Sequence, residues 1–371
     1  MRKKRVIVNW ILIALVSVIL CLAGIEIFLR IILFTDLPAS FFSDISKFNN
    51  TKDPKKYADP LSEDDYGKIA HYAGLWKPCY GKSHPVLGWS GDFSEDYRHY
   101  NSDRLNHRRP ILIFGDSNYD SNYDCLGTIR EFIPFFNNDE VFSKVHFFLD
   151  YSVNGYGLDQ TLLLIQHSID LYKNPFVIIS ITPASLDRSI LLVTERQKPY
   201  FHLEDNVLKL DTMPMNSDIN DFFIANPPQI TSYLYRRILF SNLSQKYLPQ
   251  KFTALLKKED YYKRKKILIN ERIISEIIRE LKSRDIDFVF LIYEPFFSKP
   301  LIRGQENWRN PLIEHKIREN NVPSIWSKDL ILNNIEVTGR SVNDFRGYKC
   351  PSDYFKELIT KEIKNKVIES E

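Results

Sequence analysis

The chain has 371 residues, 44% of them hydrophobic, with 50 basic against 47 acidic side chains and a formal charge of +3. That length and apolar share suffice for one large domain with a full core plus an anchor. The near balance of charge removes the case for a nucleic-acid partner, and clusters such as Lys263-Arg264-Lys265-Lys266 read as solvated helix ends.

The amino terminus opens with Arg2-Lys3-Lys4-Arg5, followed by Val6 to Ile25 with only Asn9 and Ser17 clearly polar. Twenty such residues at helical rise span the ~30 Å hydrocarbon core. The positive-inside rule sets Met1 in the cytoplasm and the chain after about residue 35 outside. Cys21-Leu22-Ala23 is a passable signal-peptide cleavage site, yet the apolar segment exceeds the ~7 to 15 residues of a signal core and resumes from Ile25 to Phe34. The expectation is an uncleaved single-pass anchor, in the membrane through residues 6–34. Leu20, which is not small, precedes Cys21 and argues against lipoprotein processing. Glu26 and Arg30, at i and i+4, are spaced to pair at the outer interface. Residues 35–75, polar and aromatic with few periodic runs, suit a stalk.

His84-Pro85-Val86-Leu87-Gly88-Trp89 marks a short ordered segment ahead of the first strand. Strands are expected at 110–115, 145–150, 176–181 and 288–292, with a fifth, short one near 322–326. Their alternation with helix-like runs implies a parallel α/β sheet. Pro199, Pro214, Pro227, Pro228 and Pro249 break residues 190–262 into short pieces, an expected insertion over the sheet's carboxyl edge. Ile273, Ile274, Ile277, Ile278 and Leu281 form one apolar helical face. Further helices are expected over 307–320 and 353–368. Cys79, Cys125 and Cys350 follow the anchor, where a disulfide is chemically allowed, and the sequence leaves open which of them pair.

The motif with most chemistry is Ile111-Leu112-Ile113-Phe114-Gly115-Asp116-Ser117, an apolar strand ending in Gly-Asp-Ser at the edge where open α/β sheets bind ligands. A second run, Phe147 to Val153, leads into Asn154-Gly155-Tyr156-Gly157. A third, Pro175 to Ser180, leads to Leu186-Asp187-Arg188-Ser189. Together these blocks resemble the SGNH (GDSL) hydrolase family over about residues 75–365. Lys198-Pro199-Tyr200-Phe201 and Val207-Leu208-Lys209-Leu210 are similar to a stretch in membrane-anchored members from bacterial surface-polysaccharide loci. The resemblance implies a three-layer, flavodoxin-like parallel sheet over residues 76–371, behind the transmembrane helix of residues 1–34. It further implies Ser117 as nucleophile, Asp116 as its support and Gly155 as an oxyanion-hole donor.

The pattern fails at the family's last block, an Asp-x-His-Pro-like segment. Here Tyr348 stands at the acid and Cys350 at the base, and no histidine follows His315. The family's asparagine falls at Ala184 or Ser185, and Asp150, Ser152 and Asn154 depart from its second block. His84 is then an atypical candidate base. Because the family keeps the Cys350 segment near the active-site edge, the resemblance favours a Cys79–Cys350 bridge. Three readings follow: a serine esterase or acyltransferase acting on O-acyl groups, acetyl foremost, of extracytoplasmic glycans; a pseudo-hydrolase keeping only a glycan-binding cleft; or a structural component of an envelope assembly. The implied partners are an acylated glycan or small ester and the bacterial inner membrane, with no metal and no cofactor. The oligomeric state stays open.

Overall fold

A computed structural model describes residues 2–35, 50–75, 82–90, 107–116, 132–183, 185–194, 196–211, 218–293, 308–345 and 352–371. The chain forms two compact units: residues 1–78 with 218–262, and residues 79–217 with 263–371.

The second unit is built on a five-stranded sheet of β1 (Arg109–Asp116), β2 (His146–Val153), β3 (Phe176–Ile181), β4 (Asp287–Ile292) and β5 (Ser324–Trp326). All neighbours are parallel and the order is β2-β1-β3-β4-β5. Runs such as Phe176–Ile181 are apolar at nearly every position because both faces of a parallel sheet are covered. On one face Ile111, Ile113, Ile178, Val289 and Leu291 pack with Phe355, Ile359 and Ile363 of the closing helix Asp353–Glu369. The alternate β1 residues Leu112 and Phe114 are equally buried, so the opposite face is covered too. The strands lie where the apolar runs put them, except that β2 continues to Val153, since Tyr151 and Val153 are still buried.

A helix at Ser327–Thr338, which the sequence reading did not anticipate, follows β5 directly. The helix Glu259–Ser283 carries the expected apolar face. It also corrects one expectation: Lys266, read as part of a solvated basic end, is buried and bonded to the Asp187 carboxylate at 2.7 Å.

The first unit gathers segments the sequence reading kept apart. Residues 50–75, expected as stalk, contain the helix Asp64–Tyr72, and residues 218–262, expected over the sheet edge, fold in this same unit. Leu29 and Leu33, near the end of the long helix Arg2–Phe34, pack with Tyr57, Ala58, Ile69, Ile230 and Tyr233. That helix is long and apolar enough to cross a bilayer.

In this unit the His71 ring stacks on Phe223 at 4.1 Å between centroids. Burial holds its imidazole below the ordinary histidine value, so the folded state favours the neutral ring. The resulting stabilisation is complete above about pH 6.5 and is lost as pH falls toward the depressed folded value. Hydrogen exchange over residues 64–72, corrected for intrinsic rates, should therefore quicken below about pH 6. His71→Phe should remove that dependence.

Candidate functional site

β1 delivers Gly115 and Asp116 to the carboxyl edge of the sheet. Gly115 has φ +141°, and a Cβ there would lie 2.1 Å from the Ser180 carbonyl oxygen on β3, so only glycine lets the two strands approach this closely. The Asp116 side chain is fully buried. Its Oδ1 accepts from the Gly155 amide at 3.0 Å, and its Oδ2 accepts from Thr182 Oγ1 at 3.1 Å and from an Arg188 guanidinium nitrogen at 2.5 Å. One carboxylate thus ties together the segments that follow β1, β2 and β3. The chain order reverses between β1 and β3, the crevice where doubly wound sheets take their ligands.

The flanking structure fixes this edge. Gly155, with φ +81°, ends the β2 turn, and the helix Leu158–Ser168 starts three residues on. The hairpin Lys82–His84 and Gly88–Ser90 covers the turn: Trp89 donates from its indole to the Asn154 carbonyl at 3.3 Å, and the Tyr156 hydroxyl donates to the Trp89 carbonyl. The short helix Ser185–Arg188 is held on both sides. Arg188 reaches Asp116, while Asp187 accepts from Lys266 and, in two bonds of 2.8 and 2.6 Å, from Arg309. A second buried pair, Lys198 with Asp159 of the first turn of Leu158–Ser168, lies wholly out of solvent.

The expected site residues fare differently. Asp116 and Gly155 are brought together, and the single proton of the Gly155 amide is directed at Asp116. Ser185, one alternative for the family's asparagine, turns its hydroxyl to the Thr182 carbonyl at 2.7 Å. His84 ends the first strand of the hairpin Lys82–His84 and Gly88–Ser90. Its Nδ1 accepts from the Val86 and Leu87 amides at 3.2 and 3.1 Å, and its ring meets His167 edge-on at 5.5 Å. His167 is in the last turn of Leu158–Ser168, about 15 Å along the helix from the Gly155 turn at 1.5 Å per residue. Ser117, Tyr348, Cys350, Cys79, Cys125 and Ala184 lie outside the described residues. Among the described residues no group of three or more His, Cys, Asp or Glu side chains is placed to hold a metal ion.

Sequence reasoning gave no role to Thr182 or Arg188, the two side chains that complete the Asp116 site. The only signal was the position of Arg188 inside Leu186-Asp187-Arg188-Ser189, just past β3.

No family model and no curated protein matches the chain. Among solved structures, an acetyl xylan esterase, AlAXEase, is similar over 70% of this chain and 99% of its own, at 12% identity and a TM-score of 0.36. A likeness at that level carries no argument about fold or activity.

Proposed function

We propose that the sheet unit is an acyl-transfer module of the SGNH type, cleaving or transferring O-acyl groups of extracytoplasmic glycans through Ser117, on a chain anchored in the bacterial inner membrane by residues 6–34. The observation that carries this reading is the convergence of Gly155, Thr182 and Arg188 on Asp116, the residue before Ser117, at the switch point of the sheet. In the reaction Ser117 attacks the acyl carbonyl while a base takes its proton, the base returns that proton to the departing glycan oxygen as the acyl-serine forms, and water or an acceptor hydroxyl then takes the acyl group and restores the serine. Gly155 serves the oxyanion only if its amide is shared with, or released from, Asp116, since donors must sit near 3 Å from the developing charge.

His84 stays the candidate base of this proposal, with one ring nitrogen already accepting from the Val86 and Leu87 amides. With Tyr348 and Cys350 at the acid and base positions, basal turnover is expected to be low. The same observation favours the second reading, a cleft that binds acylated glycan without turning it over.

The test uses the full chain in detergent with a simple acetyl ester and with an acetylated glycan oligomer. Slow release of acetate that Ser117→Ala abolishes supports the first reading. Glycan binding by both proteins without turnover supports the second, and neither binding nor turnover removes both.

A further inference from the structure

We propose that residues 226–258 of the anchor-bearing unit form a collar that lies on the bilayer surface and contacts anionic lipid headgroups. This rests on the anchoring reading of residues 6–34 and goes beyond it, because it assigns a lipid-binding surface to a segment far from the apolar helix in sequence.

The first observation is one of level. From Asn9 to Ile25 every side chain of the long helix is exposed, and burial begins only at Glu26, Leu29, Ile32 and Leu33. The bare stretch from Asn9 to Ile25 is roughly 25 Å long at 1.5 Å per residue, close to one hydrocarbon thickness. The first groups of the unit to meet the helix therefore stand at the headgroup boundary.

Those groups belong to the collar. The Glu26 carboxylate accepts from the Tyr233 and Leu234 amides at 3.1 and 2.9 Å and from the Ser232 hydroxyl at 3.1 Å. Arg30 bonds Glu26 at 2.9 Å and donates to the Thr231 carbonyl, also at 2.9 Å. The start of the helix Tyr233–Leu239 is thus pinned to the anchor at the turn where the bare helix ends.

The second observation is composition and exposure. Residues 226–258 contain Arg236, Arg237, Lys246, Lys251, Lys257 and Lys258, and no Asp or Glu. Their three short helices, Tyr233–Leu239, Asn242–Tyr247 and Gln250–Leu256, expose Tyr235, Ile238, Tyr247, Phe252 and Leu255, with Tyr247 and Leu255 at 69% and 70%. Arg236 is paired with Glu63 and Arg237 bonds the Tyr57 hydroxyl, whereas Lys246, Lys251 and Lys258 are exposed. Large apolar and aromatic side chains in water cost free energy, and a stretch that sets them beside exposed cations has the makeup of an interfacial lipid-binding segment. Lys246 lies over the Tyr247 ring and Lys257 over the Phe240 ring, at 5.2 and 4.7 Å. Such amphipathic pairs suit a boundary with an apolar side and an anionic one.

The experiment places photo-reactive benzoylphenylalanine at Leu255, at Leu15 in the anchor and at Val337, which is 84% exposed on the sheet unit. The full chain is reconstituted in vesicles of phosphatidylcholine with phosphatidylglycerol, or of phosphatidylcholine alone. The collar predicts lipid adducts at 255 and 15 but not at 337, with a higher yield at 255 on the mixed vesicles. Lys251→Glu with Lys258→Glu should remove that excess, by a factor on the order of five per lysine, with the yield at 15 unchanged. Adducts at 15 without adducts at 255, or equal yields at 255 and 337, overturn the collar while the anchor stands. No adduct at 15 overturns the anchoring reading itself.

Discussion

Replacing Tyr348 by Asp and Cys350 by His in the full chain is expected to raise acetyl-ester turnover by ~10² to 10⁴, the usual worth of a positioned general base. A serine hydroxyl is a weak nucleophile until a neighbour accepts its proton, and an imidazole whose second nitrogen bonds a carboxylate does so near neutral pH. The unmodified chain offers a tyrosine and a cysteine at those positions, and a thiol is a poor acceptor. Adding Ser117→Ala to the repaired chain should abolish the gain. Initial rates on an acetyl ester, with circular dichroism as the check on folding, read the effect directly. Strong Ser117-dependent turnover in the unmodified chain would show that another residue already accepts the proton.

Asp187→Ala is expected to be the most destabilising single change in the sheet unit. Lys266 and Arg309 share this one carboxylate, and all three side chains are buried. Removing the anion leaves two cations in low dielectric without it, a loss of about 3–5 kcal/mol against a total stability of roughly 5–15 kcal/mol. For a unit of this size the melting temperature should fall by about 6–20 °C. Replacing all three residues by apolar side chains of similar volume should recover most of the loss, since it removes the charges together. The effect reaches the site through one peptide bond. Asp187 fixes the short helix from which Arg188 reaches Asp116, so Asp187→Ala should lower Ser117-dependent turnover even at temperatures where the chain stays folded.

The sheet was legible because its information is local. Phe176–Ile181 and Phe288–Ile292 are continuous apolar runs, and a parallel strand covered on both faces has no other way to read. Gly115 and Asp116 were legible for a related reason: the chain leaves the buried strand there, and the glycine answers to the approach of Ser180. The polar framework was not legible. Lys198 finds Asp159 from 39 residues away, and Asp187 finds Lys266 and Arg309 across 79 and 122 residues, separations at which nothing in the local pattern marks a partner. Lys266 was misread on this account, because a lysine among lysines looks solvated until a buried carboxylate is set opposite it. The anchor-bearing unit was hidden twice over. Its two segments are separated in the chain by the first three strands of the sheet, and the apolar face of Asp64–Tyr72, Tyr66, Ile69 and Ala70 at i, i+3 and i+4, is only about one turn long among polar residues.

Covalent trapping tests the assignment of Ser117 most directly. The full-length chain and its Tyr348→Asp, Cys350→His form are incubated with a fluorophosphonate, digested, and the modified peptide is located by mass spectrometry. The acyl-transfer reading predicts one adduct, on Ser117, forming slowly in the unmodified chain and faster once the imidazole is supplied. No adduct on Ser117 in either folded protein, or an adduct at another serine that survives Ser117→Ala, would contradict it.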